Sequence, residues 1–322
     1  MREFIISAAD DGRKLDKWLM REMPSAGVGV RQKLFRQKCF KLNGKHVKGD
    51  AVLKKGDELK IYAPDELFEK PKREDPFLSK IRPNLSILYE DANIILADKR
   101  PGLMAHPDAN EKVNTLLTHV QAYLYQKGEY DSQDKHAFAP ALCNRIDRFT
   151  GGIVIIAKTE KAMRVINQKI RDREIEKYYY CIALGNFNKK RGLLDNYIVK
   201  KPDMKKVSVS LKPVPDGQSA QTKYRVLHYK DGLSLVECEL LTGRTHQIRA
   251  QMAFAGHPLL GDNQYGNRMK NEKYGRSFQA LYAYKLKFAF EGEKTELDEL
   301  NGKEFTVPEV RFIQEYFPEF EV

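Results

Sequence analysis

A carboxylate flanked by two arginines at the mouth of an apolar strand is the first place in this sequence where chemistry could happen. The run Asn144-Arg145-Ile146-Asp147-Arg148-Phe149-Thr150-Gly151-Gly152 is a polar loop that ends in glycines and leads directly into Ile153-Val154-Ile155-Ile156-Ala157. Asp147 there could serve as nucleophile or base, although an aspartate before a Gly-Gly turn also suits a plain turn or a surface ion pair. A second cluster, Thr242-Gly243-Arg244-Thr245-His246-Gln247-Ile248-Arg249, follows the apolar run LSLVECELL and opens a helix that runs to Gly256. Ile248, Met252 and Ala255 share its core face, while His246, Arg249 and Ala253 form another stripe, so Arg249 can point from the first turns into a pocket. A metal reading of His246 fails on spacing, because His257 lies beyond the helix and no carboxylate or cysteine joins the two at ligand distance. The third cluster is Lys177-Tyr178-Tyr179-Tyr180 at the head of a strand, where alternation sends Tyr178 and Tyr180 to one face and Tyr179 to the other. Aromatics so placed fill a core or stack on an extruded base.

The elements that must carry these groups are mostly strands. From Asn84 onward short β-like runs recur (LSILYE, ANIILADK, GGIVIIAK, KYYYCIALG, KVSVSLK, TKYRVLHYK, LSLVECELL, ALYAYKLKFAF), interrupted by helix-patterned VNTLLTHVQAYLYQK and EKAMRVINQKI. This is the signature of an α+β domain on a mixed, mostly antiparallel sheet, spanning 84–322. Residues 63–83, with four prolines and dense mixed charge, read as a linker. Residues 1–62 form a separate small α/β module: DGRKLDKWLMREM is an amphipathic helix with Leu15, Trp18 and Leu19 on one face, a second short helix follows, and Asn43-Gly44 marks a tight turn before the strand Glu58 to Tyr62.

The chain carries a formal charge of +12 from 56 basic and 44 acidic residues, and the module of 1–62 holds 15 Lys or Arg against 8 Asp or Glu. From Arg31 to Lys48 there are seven basic residues and no acid to compensate them, which favours a polyanion partner over an ordinary solvated face. No apolar run approaches the roughly 20 residues of a membrane span, and the opening MREFIISAADDGRK turns polar too early for a secretory leader, so a soluble cytoplasmic protein is expected. Cys39, Cys143, Cys181 and Cys238 are scattered without C-x-x-C or histidine neighbours, which argues against zinc and against a disulfide framework.

Two family resemblances follow from these motifs. KLDKWL, VRQKLF and KLNGKHVK through KKGDELKIY resemble the S4 RNA-binding domain, with Val30 where a Ser and Lys38 where a Gly is usual. ILADKRPGLMAHP, NRIDRFTGGIVIIAKT, EKYYYCIALG and LTGRTHQIRAQMAFAGHPLLGDNQYG resemble, in order, the motifs of the RluA-type pseudouridine synthases. That resemblance implies isomerisation of uridine to pseudouridine without cofactor or metal, with Asp147 as catalytic aspartate, Tyr179 as pocket tyrosine of the K-x-Y pattern and Arg249 as partner of the aspartate. It also implies that Arg145 fills the gap left by a flipped nucleotide. The planar fork of Arg249 is expected to hold both Asp147 oxygens. Attack on the sugar, attack on the base and removal of a sugar proton all remain open to Asp147. Arg145, Arg148, Arg244 and His246 are the expected RNA contacts around the pocket, and Arg31, Lys33, Arg36, Lys41 and Lys45 those of the module. Departures from the family pattern are Asn144 for His, Gly151 for Ser, and Ala250-Gln251 for Val-His. By analogy the S4-like module favours ribosomal over transfer RNA, bound by a monomer. The rival readings are a ribosome-assembly factor that binds RNA without turnover and a metal-dependent nuclease, the latter disfavoured by the lack of clustered carboxylate or histidine ligands.

Overall fold

Helical spacing of Leu15, Trp18 and Leu19 buries one side of α1 (Leu15–Glu22) in the N-terminal part of the chain. The computed structural model describes residues 1–69, 75–134, 136–200 and 206–320, and these divide into two units, Met1–Glu74 and Asp75–Val322. In the first unit the Asp10 carboxylate anchors α1 by accepting two N–H bonds from Arg21, at 2.8 and 2.9 Å, and one from the Trp18 indole at 3.3 Å. Beside it lie α2 (Val28–Arg36) and an antiparallel sheet of β1 (Arg2–Ile5), β2 (Phe40–Leu42), β3 (Lys45–His46) and β4 (Glu58–Ile61), in spatial order β1-β4-β2-β3. Leu34, Phe40, Leu53, Leu59 and Ile61 complete this core.

Arg31 corrects one expectation. It is only 5% exposed, its Nε donates to Asp16 Oδ1 at 2.8 Å and one terminal nitrogen donates to the Ala26 carbonyl at 2.6 Å. Arg31 therefore ties α2 to α1 and presents nothing outward, whereas Lys33, Arg36 and Lys45 are exposed and the Lys41 ammonium lies 5.5 Å from the Tyr62 ring. Of the segment expected to link the domains, Leu67 and Phe68 pack on the first core, and Leu78 and Ile81 on Ala122 of the second unit; 70–74 lie outside the described residues.

In the second unit the described residues form eleven strands: β5 (Ile87–Glu90), β6 (Ile94–Lys99), β7 (Ala141–Leu142), β8 (Gly151–Ala157), β9 (Ile175–Leu184), β10 (Arg191–Val199), β11 (Ser208–Ser210), β12 (Gln218–Lys230), β13 (Leu233–Leu240), β14 (Leu281–Phe288) and β15 (Glu304–Thr306). The order is β11-β10-β12-β13-β9-β14-β8-β6-β5, with β15 on β14 and β7 on β8. The sheet is mixed, because β14 and β8 run parallel while the other pairings are antiparallel.

Both faces of this sheet are covered, which is why β8 reads as an unbroken apolar run instead of an alternating one. Ile153 and Ile155 enter one core with Tyr180 and Ile182, beneath α4 (Glu160–Arg171) and α7 (Arg311–Tyr316). Val154 and Ile156 enter the other with Tyr179 and Cys181, beneath α3 (Leu116–Lys127) and α5 (Gln247–Phe254). Full burial of each isoleucine contributes about 1.5–3 kcal/mol. Thr115 and Thr159 cap α3 and α4, each accepting an N–H from three residues on. The short α6 (Arg268–Lys273) lies in the loop before β14. No helix among the described residues is long and apolar enough to cross a membrane.

Candidate active site

The loop between β7 and β8 brings Asp147 to the end of the sheet. Asn144 fastens the start of this loop by accepting the Ile155 N–H on its side-chain oxygen at 2.7 Å. Lys99, at the end of β6 and fully buried, fastens its far side: the ammonium donates to the carbonyls of Leu103 (2.8 Å), Arg148 (3.0 Å) and Arg100 (3.2 Å), using all three of its hydrogens. Burial pushes this lysine down to about 8.

Gly151 and Gly152 are dictated by β14. A β-carbon on Gly151 would stand 2.3 Å from Cε2 of Tyr282, whose hydroxyl donates to Asp98 Oδ1 at 2.8 Å. A β-carbon on Gly152 would meet the Ala283 carbonyl oxygen at 2.2 Å, and φ there is +115°. The aromatic ring thus takes the space that a serine at 151 would fill.

Arg249 enters from α5, which is pinned by Gln251: the Thr222 hydroxyl donates to its Oε1 at 2.7 Å, and its amide nitrogen donates to Ala220, Leu194 and Asn196 oxygens. Arg249 is 6% exposed, and one terminal nitrogen donates to Asp147 Oδ2 at 2.7 Å. The expectation that its fork grips both Asp147 oxygens is corrected here. The fork belongs to Asp262, 1% exposed, which accepts from Nε at 2.7 Å and from the second terminal nitrogen at 3.0 Å, while Gln264 accepts from that nitrogen at 2.9 Å. Asp262 in turn accepts the N–H groups of Gln264 and Tyr265. The result is a chain, Asp262–Arg249–Asp147, whose outer end faces open space.

His246 stands beside it, with Nε2 3.8 Å from Asp147 Oδ1 and Nδ1 2.9 Å from the Tyr265 hydroxyl. That hydroxyl also accepts the Val207 N–H at 2.8 Å, which fixes Tyr265 beside the imidazole. Burial lowers the imidazole below its ordinary value, against the pull of Asp147.

These groups line a cleft of about 880 Å³. Tyr179 forms part of its wall, 6% exposed, with its phenol pushed up by burial and by Asp147. Arg145 and Arg148 are exposed at its rim, Arg148 also donating to the Gly102 carbonyl at 3.1 Å, and Arg244 donates to the Ser219 carbonyl at 3.0 Å. The structure thus gathers Asp147, Tyr179, Arg249, His246, Arg145, Arg148 and Arg244 around one cleft.

A family model described as RNA pseudouridylate synthase matches residues 93–254. A Bacillus subtilis relative named as an RNA pseudouridine synthase is 31% identical, over 88% of this chain and 87% of its own. The chain belongs to the RNA pseudouridine synthase family. Another relative of this synthase, named ribosomal large subunit pseudouridine synthase D, from Borreliella burgdorferi, is 32% identical over 70% of this chain and 68% of its own. The solved structure of human RNA pseudouridylate synthase domain containing 4 shares the fold, with a TM-score of 0.54 at 23% identity over 70% of this chain and 89% of that one.

Sequence reasoning misses three residues of the synthase's cleft region. Asp262 sits inside the motif GDNQYG, but its link to Arg249 spans a loop that no periodicity reveals. Lys99 sits likewise in ILADKRPG. Lys177 stands out in the sequence only as the first letter of K-x-Y, yet it lines the cleft at 7% exposure, and burial lowers it from the usual 10.5 to about 8. Between those two values the unfolded chain holds a proton that the folded chain has released, so the stability contributed by this group rises with pH across that window and is lowest below it. Lys177→Met is therefore expected to be more stable than wild type at pH 7, with the difference closing as pH climbs from about 8 toward 10.5. Urea midpoints at several pH values check this, and a variant less stable at pH 7 would contradict it.

Proposed function

We propose that this synthase converts uridines of ribosomal RNA to pseudouridine in the cytoplasm, as a monomer and without cofactor or metal, with Asp147 as the catalytic aspartate. The assignment rests on the Asp262–Arg249–Asp147 chain, which holds the Asp147 carboxyl group in a cleft walled by an aromatic ring. In the reaction the bond from C1′ to N1 breaks, the uracil turns, a bond from C1′ to C5 forms, the C5 proton leaves and N1 takes up a proton. Asp147 serves the bond-breaking step as nucleophile or base. Arg249 holds it in place. Tyr179 lies against the uracil. Arg145, exposed and free to reach out, fills the stack from which the nucleotide has been extruded, offsetting an unstacking cost of a few kcal/mol. Arg148, Arg244 and His246 hold the flanking strand.

Ribosomal RNA is favoured over transfer RNA by the name of the Borreliella relative and by the S4-like character of residues 1–62, whose exposed Lys33, Arg36 and Lys45, with Lys41, would meet phosphates. The test is tritium release by the purified chain from an unmodified ribosomal RNA transcript containing 5-tritiated uridine, followed by mapping of the product with a reagent that derivatises pseudouridine. Release that survives EDTA is expected. No release from ribosomal RNA, with release from transfer RNA, would move the substrate assignment; inhibition by EDTA with rescue by zinc or magnesium would overturn the metal-free mechanism.

A further inference from the structure

We propose that Lys177, Arg171 and Arg173 form a phosphate subsite at the edge of the cleft, holding a backbone phosphodiester that flanks the target uridine; this rests on the cleft being the uridine site. Four enclosed lysines differ in what compensates them. Lys99 donates to three carbonyls. Lys169 pairs with Glu174 at 2.5 Å and donates to the Glu291 carbonyl at 2.6 Å. Lys158 pairs with Glu90 and Glu129. Lys177 has one bond, to the Ile175 carbonyl at 3.2 Å, and no carboxylate pairs with it among the described residues. A buried ammonium with a single protein hydrogen bond among the described residues, set in a cleft wall, suits an anion.

Its surroundings fit that reading. Arg171 and Arg173, both exposed, line the same cleft at the end of α4. Among the described residues no carboxylate forms an ion pair with either arginine: Asp172 accepts from Gln168 at 2.8 and 3.0 Å, Glu174 pairs with Lys169, and Arg171 donates to Gln168. Arg173 keeps a left-handed backbone, φ 65°, which non-glycine residues rarely adopt. The nearby walls from Leu142, Leu240 and Leu241 are apolar, so a charge pair formed there is less screened than one in open water. Lys177 shares its strand face with Tyr179 two residues on, about 6.7 Å along the chain, so a base against Tyr179 places its own backbone within reach of Lys177.

Binding of a short fluorescein-labelled oligouridylate to the full chain, measured across a range of salt concentrations, tests the subsite. Releasing one phosphate from its cationic partner should lower the magnitude of the log-log salt slope by about 0.7 for single-stranded RNA. Lys177→Gln and Arg173→Gln are each expected to show a decrease of up to that size, and Lys177→Arg to retain the wild-type slope. A purely structural lysine would lower affinity equally at all salts, and an unchanged slope in Lys177→Gln would overturn the proposal. Arg173 is exposed, so its variant decides the matter if the buried substitution prevents folding: a shallower slope supports the subsite and an unchanged slope refutes it. Tritium release by wild type, run in parallel, separates the two levels: release with unchanged slopes refutes the subsite alone, whereas no release from any RNA refutes the reading beneath it.

Discussion

Asp147→Asn is expected to bring pseudouridine formation below detection while RNA affinity stays within about threefold of wild type. The amide matches the carboxylate in shape, and its oxygen can still accept the Arg249 N–H that now reaches Oδ2 at 2.7 Å, so the loop should keep its position. The amide lacks both a nucleophilic oxygen and a basic one. Loop anchorage does not depend on the charge of Asp147, because Asn144 and Lys99 hold the two ends of the loop through backbone groups. Tritium release and filter binding on the same preparations separate chemistry from affinity. Residual turnover above about one per cent would remove Asp147 from the catalytic role.

Arg249→Met is expected to abolish turnover and to destabilise the fold together, because Arg249 neutralises two carboxylates at once. Without it Asp262, 1% exposed, is a buried charge without its partner, a situation that costs about 3–5 kcal/mol. The two effects come apart in a double variant. Arg249→Met with Asp262→Leu removes both members of the buried pair, and stability should recover substantially while kcat stays low, since Asp147 still lacks its anchor. Arg249→Lys should lie between: the charge survives, but a compact ammonium on a flexible stem cannot span Asp262 and Asp147 as the planar fork does. Single-turnover rates and thermal midpoints of the three variants are the measurements. Recovery of both stability and turnover in the double variant would show that Arg249 serves only to satisfy Asp262.

What could be read in the sequence was whatever is local. The strand β8, the alternation that separates Tyr179 from Tyr180 and the helical face of Leu15, Trp18 and Leu19 all follow from spacing along the chain, and each lies as its spacing predicts. The partner of a charge is not local. Arg31 looked like part of an uncompensated basic stretch because Asp16, its partner, sits fifteen residues upstream on another helix. Asp262 was hidden for the same reason, and so was the isolation of Lys177, which is defined by what its neighbours fail to supply. β10 escaped notice because Leu193, 51% exposed, and Leu194 are followed by Asp195 and Asn196, which breaks the two-residue alternation.

The contact between Gly151 and Tyr282 makes these two positions, 131 residues apart in sequence, a single evolutionary unit. A serine at 151 is incompatible with this tyrosine and becomes admissible once the ring is replaced by something smaller, so each change is deleterious or neutral according to which came first. Gly152 has no such escape, since what blocks it is the peptide group of Ala283, which every residue type carries. Grafting the loop of a serine-bearing relative into this chain, or the reverse, should therefore fail unless position 282 travels with it. In a collection of random variants, suppressors of Gly151→Ser should gather at 282, while Gly152→Ser should yield no suppressor at 283.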